Sequence, residues 1–193
     1  MRIIAGRFKG RTVKAPEGLG TRPTIDRVRE SLFSALYSML GGFEGVHVLD
    51  AFAGSGSLGL EALSRGASSC VFCDRDPQAA RIIEGTLKSF GLERDEARLV
   101  KTDVLKGTLP VSRNAYGLVL LDPPYAQDPH EVVRFLDSLD DAGQLTQDVL
   151  ITYEHDASDD LRASVNTEGG RWNDFETRKY GKVRIDFIER AGR

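Results

Sequence analysis

From Ile25 the apolar positions recur through Val28, Leu32, Leu36, Met39 and Leu40, the spacing of one helix face. Thr24 is the expected N-cap. Asp26 falls in the first turn, where the helix dipole favours an anion, and Gly41-Gly42 stops the run. From residue 46 the pattern changes to short apolar runs alternating with helical stretches. Strands are expected at 46–50, 69–74, 97–101, 117–122 and 149–153, with helices over 57–65, 77–90 and 131–139. Leu118-Val119-Leu120-Leu121 is apolar without alternation, as in a strand covered on both faces. These intervals suit βαβ units. Segments 175–180 and 183–188 alternate and are joined by Gly181-Lys182, which predicts an antiparallel hairpin. At the N-terminus, 2–5 and 12–15 are strand-like around a turn bracketed by Gly6 and Gly10, and 16–23 reads as a linker.

The expected fold is therefore α/β: a doubly wound, mostly parallel sheet with an antiparallel C-terminal hairpin, preceded by an N-terminal β-hairpin and helix. Residues 1–23 are expected to form a basic appendage, and 24–193 the main domain. With 193 residues and 40% hydrophobic content, the chain has material for one core. No apolar run reaches the roughly 18 residues of a membrane span. The N-terminus lacks the apolar stretch of a signal peptide, and two cysteines make no disulfide framework. The expectation is a soluble, cytoplasmic protein.

Charge adds an asymmetry. Residues 1–30 hold eight basic side chains against three acidic ones, whereas the whole chain holds 26 against 29. A basic arm on an acidic body fits a polyanion met at one end, or simply a solvated arm.

The first strand of the sheet leads into Asp50-Ala51-Phe52-Ala53-Gly54-Ser55-Gly56-Ser57-Leu58-Gly59, a G-x-G-x-x-G loop. Glycines there permit a sharp turn and close approach of a ligand to the main chain. Asp74, ending the next strand, suits the two hydroxyls of a ribose. Two cofactors fit: a nicotinamide dinucleotide and S-adenosylmethionine. Asp50 favours the second, because a carboxylate at the mouth of the loop repels a pyrophosphate but attracts a sulfonium and an α-ammonium. Asp103, after the third strand, is placed to accept an adenine amino group.

Asp122-Pro123-Pro124-Tyr125 follows the fourth strand, on the same sheet edge as the glycine loop. Consecutive prolines stiffen the loop and fix its carbonyls. This arrangement suits methylation of an exocyclic base amine, whose lone pair is delocalised into the ring. The Asp122 carboxylate and the Pro123 carbonyl would accept its two N–H groups, and Tyr125 would stack on a flipped or unpaired base. Cys70 and Cys73 lie inside a predicted strand and read as core thiols. His47, His130 and His155 lack ligand spacing, so no metal is expected. Trp172 reads as packing.

These two motifs together resemble a class I S-adenosylmethionine-dependent N-methyltransferase with a Rossmann-like sheet. Arg2-Ile3-Ile4-Ala5-Gly6, Lys9-Gly10-Arg11, Arg22-Pro23-Thr24-x-Asp26-Arg27-Val28-Arg29-Glu30-x-Leu32-Phe33, Leu58-Gly59-x-Glu61-Ala62-Leu63-Ser64-Arg65-Gly66-Ala67 and Tyr180-Gly181 narrow the likeness to the RsmD family. That resemblance implies methylation of guanine N2 in 16S rRNA, within the small ribosomal subunit or an assembly intermediate, by a monomer. It implies that Asp122, Pro123 and Tyr125 hold the guanine, with Pro124 beside them. Asp50, Phe52, Gly54 and Gly56 would line the methionine end of the cofactor, with Ala53 and Ser55 in the same loop. Asp74 would bind the ribose, Asp103 with Val104 the adenine, and Arg75 is counted with the cofactor-binding residues. Arg7, Lys9, Arg11, Arg22, Thr24 and Arg29 would face RNA. Asp74 stands where the family more usually has glutamate, and Ala51 replaces a bulkier residue. Alternatives left open are a DNA adenine-N6 methyltransferase, a non-catalytic RNA-binding assembly protein and a dinucleotide oxidoreductase.

Overall fold

The computed structural model describes residues 1–14, 23–124, 127–156, 165, 170–181 and 183–192, apart from the side chains of 23–25 and 156. Its elements are α1 (Pro23–Leu40), β1 (His47–Asp50), α2 (Ser57–Ser64), β2 (Ser69–Asp74), α3 (Pro77–Phe90), β3 (Ala97–Lys101), β4 (Tyr116–Leu121), α4 (Pro129–Asp141), β5 (Leu145–Asp156), β6 (Trp172–Tyr180) and β7 (Val183–Arg190). Seven strands form one sheet in the order β3-β2-β1-β4-β5-β7-β6. The first five are mutually parallel, and β7 pairs antiparallel with both β5 and β6. The chain builds outward from β1 to β3, then returns to place β4 on the other side of β1. This reversal opens a crevice above the carboxyl ends of β1 and β4, where ligands bind in such sheets.

Alternation along the central strands fills two cores. Val48, Leu118, Leu120 and Leu150 face the side covered by α1, α2, α3 and the N-terminal hairpin. Leu49, Val119, Leu121 and Ile151 face α4. Two helices begin at Asp-Pro pairs: Asp76 accepts the amide of Gln78 at 2.8 Å, and Asp128 accepts that of His130 at 2.9 Å. In each, proline occupies the first turn, where no intrahelical N–H partner is needed. The second cap starts α4 two residues before the start expected from periodicity.

Three expectations change in detail. First, α1 starts at Pro23, so Thr24 lies inside the first turn instead of capping it. Second, β5 runs three residues beyond 153, because β7 pairs with it from Ile151 to Asp156, and the polar residues before Val149 bulge against β4. Third, the N-terminal hairpin forms one bridge, Arg2 to Thr12, flanked by four main-chain hydrogen bonds, one of them from the N-terminal ammonium, not a ladder. The reason is that the Ile4 and Ala5 amides turn away to the Glu61 carboxylate on α2, at 2.8 and 3.1 Å. Ile3, Phe8 and Val13 are buried in the first core.

Candidate active site

Five strand ends meet at the carboxyl edge of the sheet and bring the candidate site residues together. After β1, the backbone turns through Gly54 (φ 54°) and Gly56 (φ 78°), conformations that suit glycine. A Cβ at Gly54 would meet nothing within 4 Å, so the space over the loop is open to a ligand. Gly59 serves packing instead. A Cβ there would lie 2.4 Å from the Phe72 ring and 2.6 Å from the Cys70 sulfur, so α2 rests directly on β2. Phe52 is half-buried, Ala53 and Ser55 are buried, and the Ala53 amide donates to the Cys73 carbonyl at 2.9 Å.

Asp50 is 1% exposed and accepts the Gly59 amide at 2.9 Å. Burial pushes its carboxyl up to about 7; the Gly59 hydrogen bond acts against this, and the charges of Asp122 and Asp74 add to it. Asp74 accepts the Gly54 amide at 2.7 Å through one oxygen and the Asp76 amide at 2.8 Å through the other. Each oxygen retains a lone pair, so ribose hydroxyls can still donate to it. Asp103 pairs with Arg75 at 2.9 Å and accepts the Leu105 amide at 3.2 Å. Partial burial opposes the lowering of its carboxyl, but these two hydrogen bonds and the charges of Arg75 and Lys106 outweigh it. Val104 is buried beside it. Glycine loop, Asp74 and Asp103 thus form one continuous cradle, open above Gly54 and acidic at both ends, which fits a nucleoside with a cationic tail.

Asp122 leaves the end of β4 at the floor of the crevice. Its side chain reaches solvent, yet the surrounding protein pushes its carboxyl up to about 6. Pro123 is buried and Pro124 exposed. Tyr125 lies outside the described residues, as does Arg22; so does the side chain of Thr24.

One acid here was not singled out from sequence. The β4–β5 register pairs Leu121 with Tyr153, so Glu154 is the neighbour of Asp122 one step on. Burial pushes the Glu154 carboxyl up to about 8, and the charge of Asp122 adds to it. Its place on the Leu150–Thr152 side of β5 follows the alternation, but its nearness to Asp122 follows only from the register.

The basic residues are distributed differently from the acids. Arg29 is buried, and its guanidinium donates to the Arg2 carbonyl at 2.6 Å and to Asp26 at 3.0 Å, so it ties α1 to the hairpin. Arg7 pairs with Glu96 and lies over the Phe8 ring. Arg11 donates to the Ser89 carbonyl at 2.5 Å and lies 3.9 Å from the centre of the Phe90 ring. Lys9 is exposed between them. The Arg7 amide donates to the Ser64 carbonyl at the C-terminal end of α2. The hairpin tip therefore sits at the sheet edge opposite the Asp122 crevice. Cys70 and Cys73 are buried, and burial, joined by the charge of Asp50, raises both thiols; neither is a reactive thiolate. Trp172 is buried and donates to Asp137 at 2.8 Å. Among the described residues, no helix is long and apolar enough to cross a membrane.

Comparison with known proteins agrees with this geometry. The family described as Conserved hypothetical protein 95 matches residues 1–189. YlbH of Bacillus subtilis, named as a candidate rRNA methyltransferase, is 39% identical over 168 residues, 86% of this chain and 88% of that protein. Ribosomal RNA small subunit methyltransferase D of Escherichia coli K12 is 32% identical over 190 residues, 98% of this chain and 90% of that protein. The structure of Escherichia coli YhhF, solved as a candidate methyltransferase, superposes with a TM-score of 0.77 at 29% identity, over 100% of this chain and 99% of that one. The sheet order, the glycine loop and the Asp-Pro-Pro turn belong to one architecture, that of the class I methyltransferases, and the chain is a member of the RsmD family.

Proposed function

We propose that this protein transfers the methyl group of S-adenosylmethionine to N2 of a guanine in small-subunit ribosomal RNA. The observation that carries the reading is the placement of Asp50 and Asp122 at the ends of the adjacent strands β1 and β4, below the crevice. One carries the cofactor loop, the other the base-binding turn.

When bound, S-adenosylmethionine would supply an electrophilic methyl group, with a neutral thioether as the leaving group. Asp74 accepts the ribose hydroxyls, Asp103 with Val104 holds the adenine, and the acidic loop around Asp50 favours the cationic tail. Asp122 and the Pro123 carbonyl accept the two N–H groups of the guanine amine. That orients the nitrogen lone pair toward the methyl carbon and offsets positive charge on nitrogen as the bond forms. One proton then leaves the methylated amine to solvent. No residue forms a covalent bond to the substrate. The acceptor is 16S rRNA, in the small subunit or a precursor of it, and the enzyme acts as a cytoplasmic monomer. The relatives named as rRNA methyltransferases support the substrate class.

The test is transfer of labelled methyl to three acceptors: small subunits lacking the modification, naked small-subunit RNA, and duplex DNA. The expected product is N2-methylguanine in RNA. N6-methyladenine in DNA overturns the base and substrate assignments; cofactor binding without transfer to any acceptor overturns the catalytic reading.

A further inference from the structure

Three acids stand on the same face of three adjacent strands. Along β1, Val48 is in the first core and Asp50 follows two residues on; along β4, Leu120 is followed by Asp122; along β5, Leu150 is followed by Thr152 and Glu154. The pairs Asp50–Leu120, Leu120–Thr152 and Leu121–Tyr153 fix the order across the sheet. Asp122 and Glu154 are thus side by side at the crevice floor, one strand spacing, about 4.8 Å, apart in the backbone. Neither receives a hydrogen bond from another described residue. Acids at the floor of a ligand crevice that have no hydrogen-bond partner among the described residues are available to a ligand that enters it.

We propose that Glu154 is a second recognition residue for the target base, binding the N1–H and O6 groups of the guanine whose amine is held by Asp122. The proposal rests on the guanine-N2 reading above and adds to it the means of choosing the base. The polar groups on the Watson–Crick edge of guanine run in the order N2, N1, O6, so an amine seated at Asp122 carries N1 and O6 across toward the next strand. Two adjacent carboxyls do not both ionise freely, and Glu154, half-buried where Asp122 reaches solvent, is the one favoured to keep its proton: burial and the charge of Asp122 both push it up. A neutral carboxyl offers one C=O acceptor and one O–H donor side by side. These complement a lactam edge, with N1–H donating to the carbonyl and the hydroxyl donating to O6. The adjacent carboxylate keeps only acceptor capacity and suits the amine.

The experiment compares an acceptor RNA with guanine at the target against the same RNA with 2-aminopurine there. The analogue keeps the 2-amino group but lacks N1–H and O6. Wild type is expected to prefer guanine in kcat/KM. Glu154→Ala is expected to narrow that preference at least ~10-fold, the loss of about one hydrogen bond. Glu154→Gln places an amide carbonyl and NH2 in the same positions and is expected to retain the preference. Thermal melting and cofactor affinity establish that each variant is folded. An alanine variant that keeps the wild-type preference overturns the assignment of Glu154 alone. If the alanine variant does not fold, a folded glutamine variant that loses the preference overturns it. A wild-type enzyme that methylates no guanine overturns the underlying reading as well.

Discussion

The Asp50 carboxylate, at the end of β1, accepts the amide of Gly59, in the first turn of α2, at 2.9 Å. The residue at the N-cap of α2 is Gly56, which has no side chain to do this. Asp50 therefore substitutes for a local cap and clamps the two ends of the glycine loop together. The same bond holds a carboxyl in a buried position, where ionisation is costly.

Asp50→Asn keeps an oxygen for Gly59 and removes the charge. The folded-state carboxyl is raised from 3.8 to about 7, so its contribution to stability is full below pH 4 and is lost as pH rises through 7. The variant should match wild type at pH 4 and exceed it by about 2–4 kcal/mol at pH 8, with weaker affinity for a cationic cofactor. Urea melts at the two pH values check this. Equal stability at pH 8 would remove the buried charge from the account.

On the proposed reading, Asp122 is ionised when it accepts the amine. With its carboxyl at about 6, single-turnover transfer should fall as pH drops through 6 and level off above 7. Asp122→Ala should bind cofactor nearly as wild type does and transfer methyl at least ~100-fold more slowly. Rapid-quench transfer and cofactor titration give both values; a rate within tenfold of wild type sinks the assignment.

Gly59→Ala tests the contact between α2 and β2. The helical backbone tolerates alanine, but the added methyl would lie 2.4 Å from Phe72 and 2.6 Å from Cys70. Overpacking should destabilise by about 1–3 kcal/mol and, by displacing the helix that carries the cofactor loop, weaken cofactor affinity. Denaturant midpoint and calorimetric titration are the measurements. An unshifted midpoint would show that the layer yields freely.

Glu61 is fully buried and accepts from the amides of Ile4 and Ala5 and from Arg65 at 2.8 Å. Glu61→Ala leaves two amides and a guanidinium without their partner, and should cost about 3–5 kcal/mol. The hairpin should come loose before the sheet does. Hydrogen exchange should therefore rise first at residues 3–13, and protection there equal to wild type contradicts the docking role.

Arg7→Ala with Arg11→Ala tests the hairpin tip as an RNA contact. If both guanidinium groups meet phosphates, the slope of log affinity against log salt should flatten by about 1–2, with cofactor affinity unchanged. An unchanged slope removes the tip from the interface and turns attention to the exposed Arg2, Lys14 and Arg27.

Local pattern determined much of this protein. Hydrophobic periodicity placed α1 to α4 and β1 to β7 to within a few residues, and Gly54, Gly56, Asp74 and Asp122-Pro123 were legible because turn chemistry and strand ends are encoded by neighbours in the chain. Tertiary structure decided the rest. Arg29 counts as a cation in the sequence, but the fold turns it inward to Arg2 and Asp26. Arg7 and Arg11 share a basic arm, but docking onto α2 and α3 carries them to the edge opposite the crevice. Asp122 and Glu154 are 32 residues apart in the chain, and only the register of β4 against β5 makes them neighbours. Periodicity states which face a residue takes within its own strand. Which residue of another strand stands beside it is set by pairing, bulges and layer packing, which no local pattern contains.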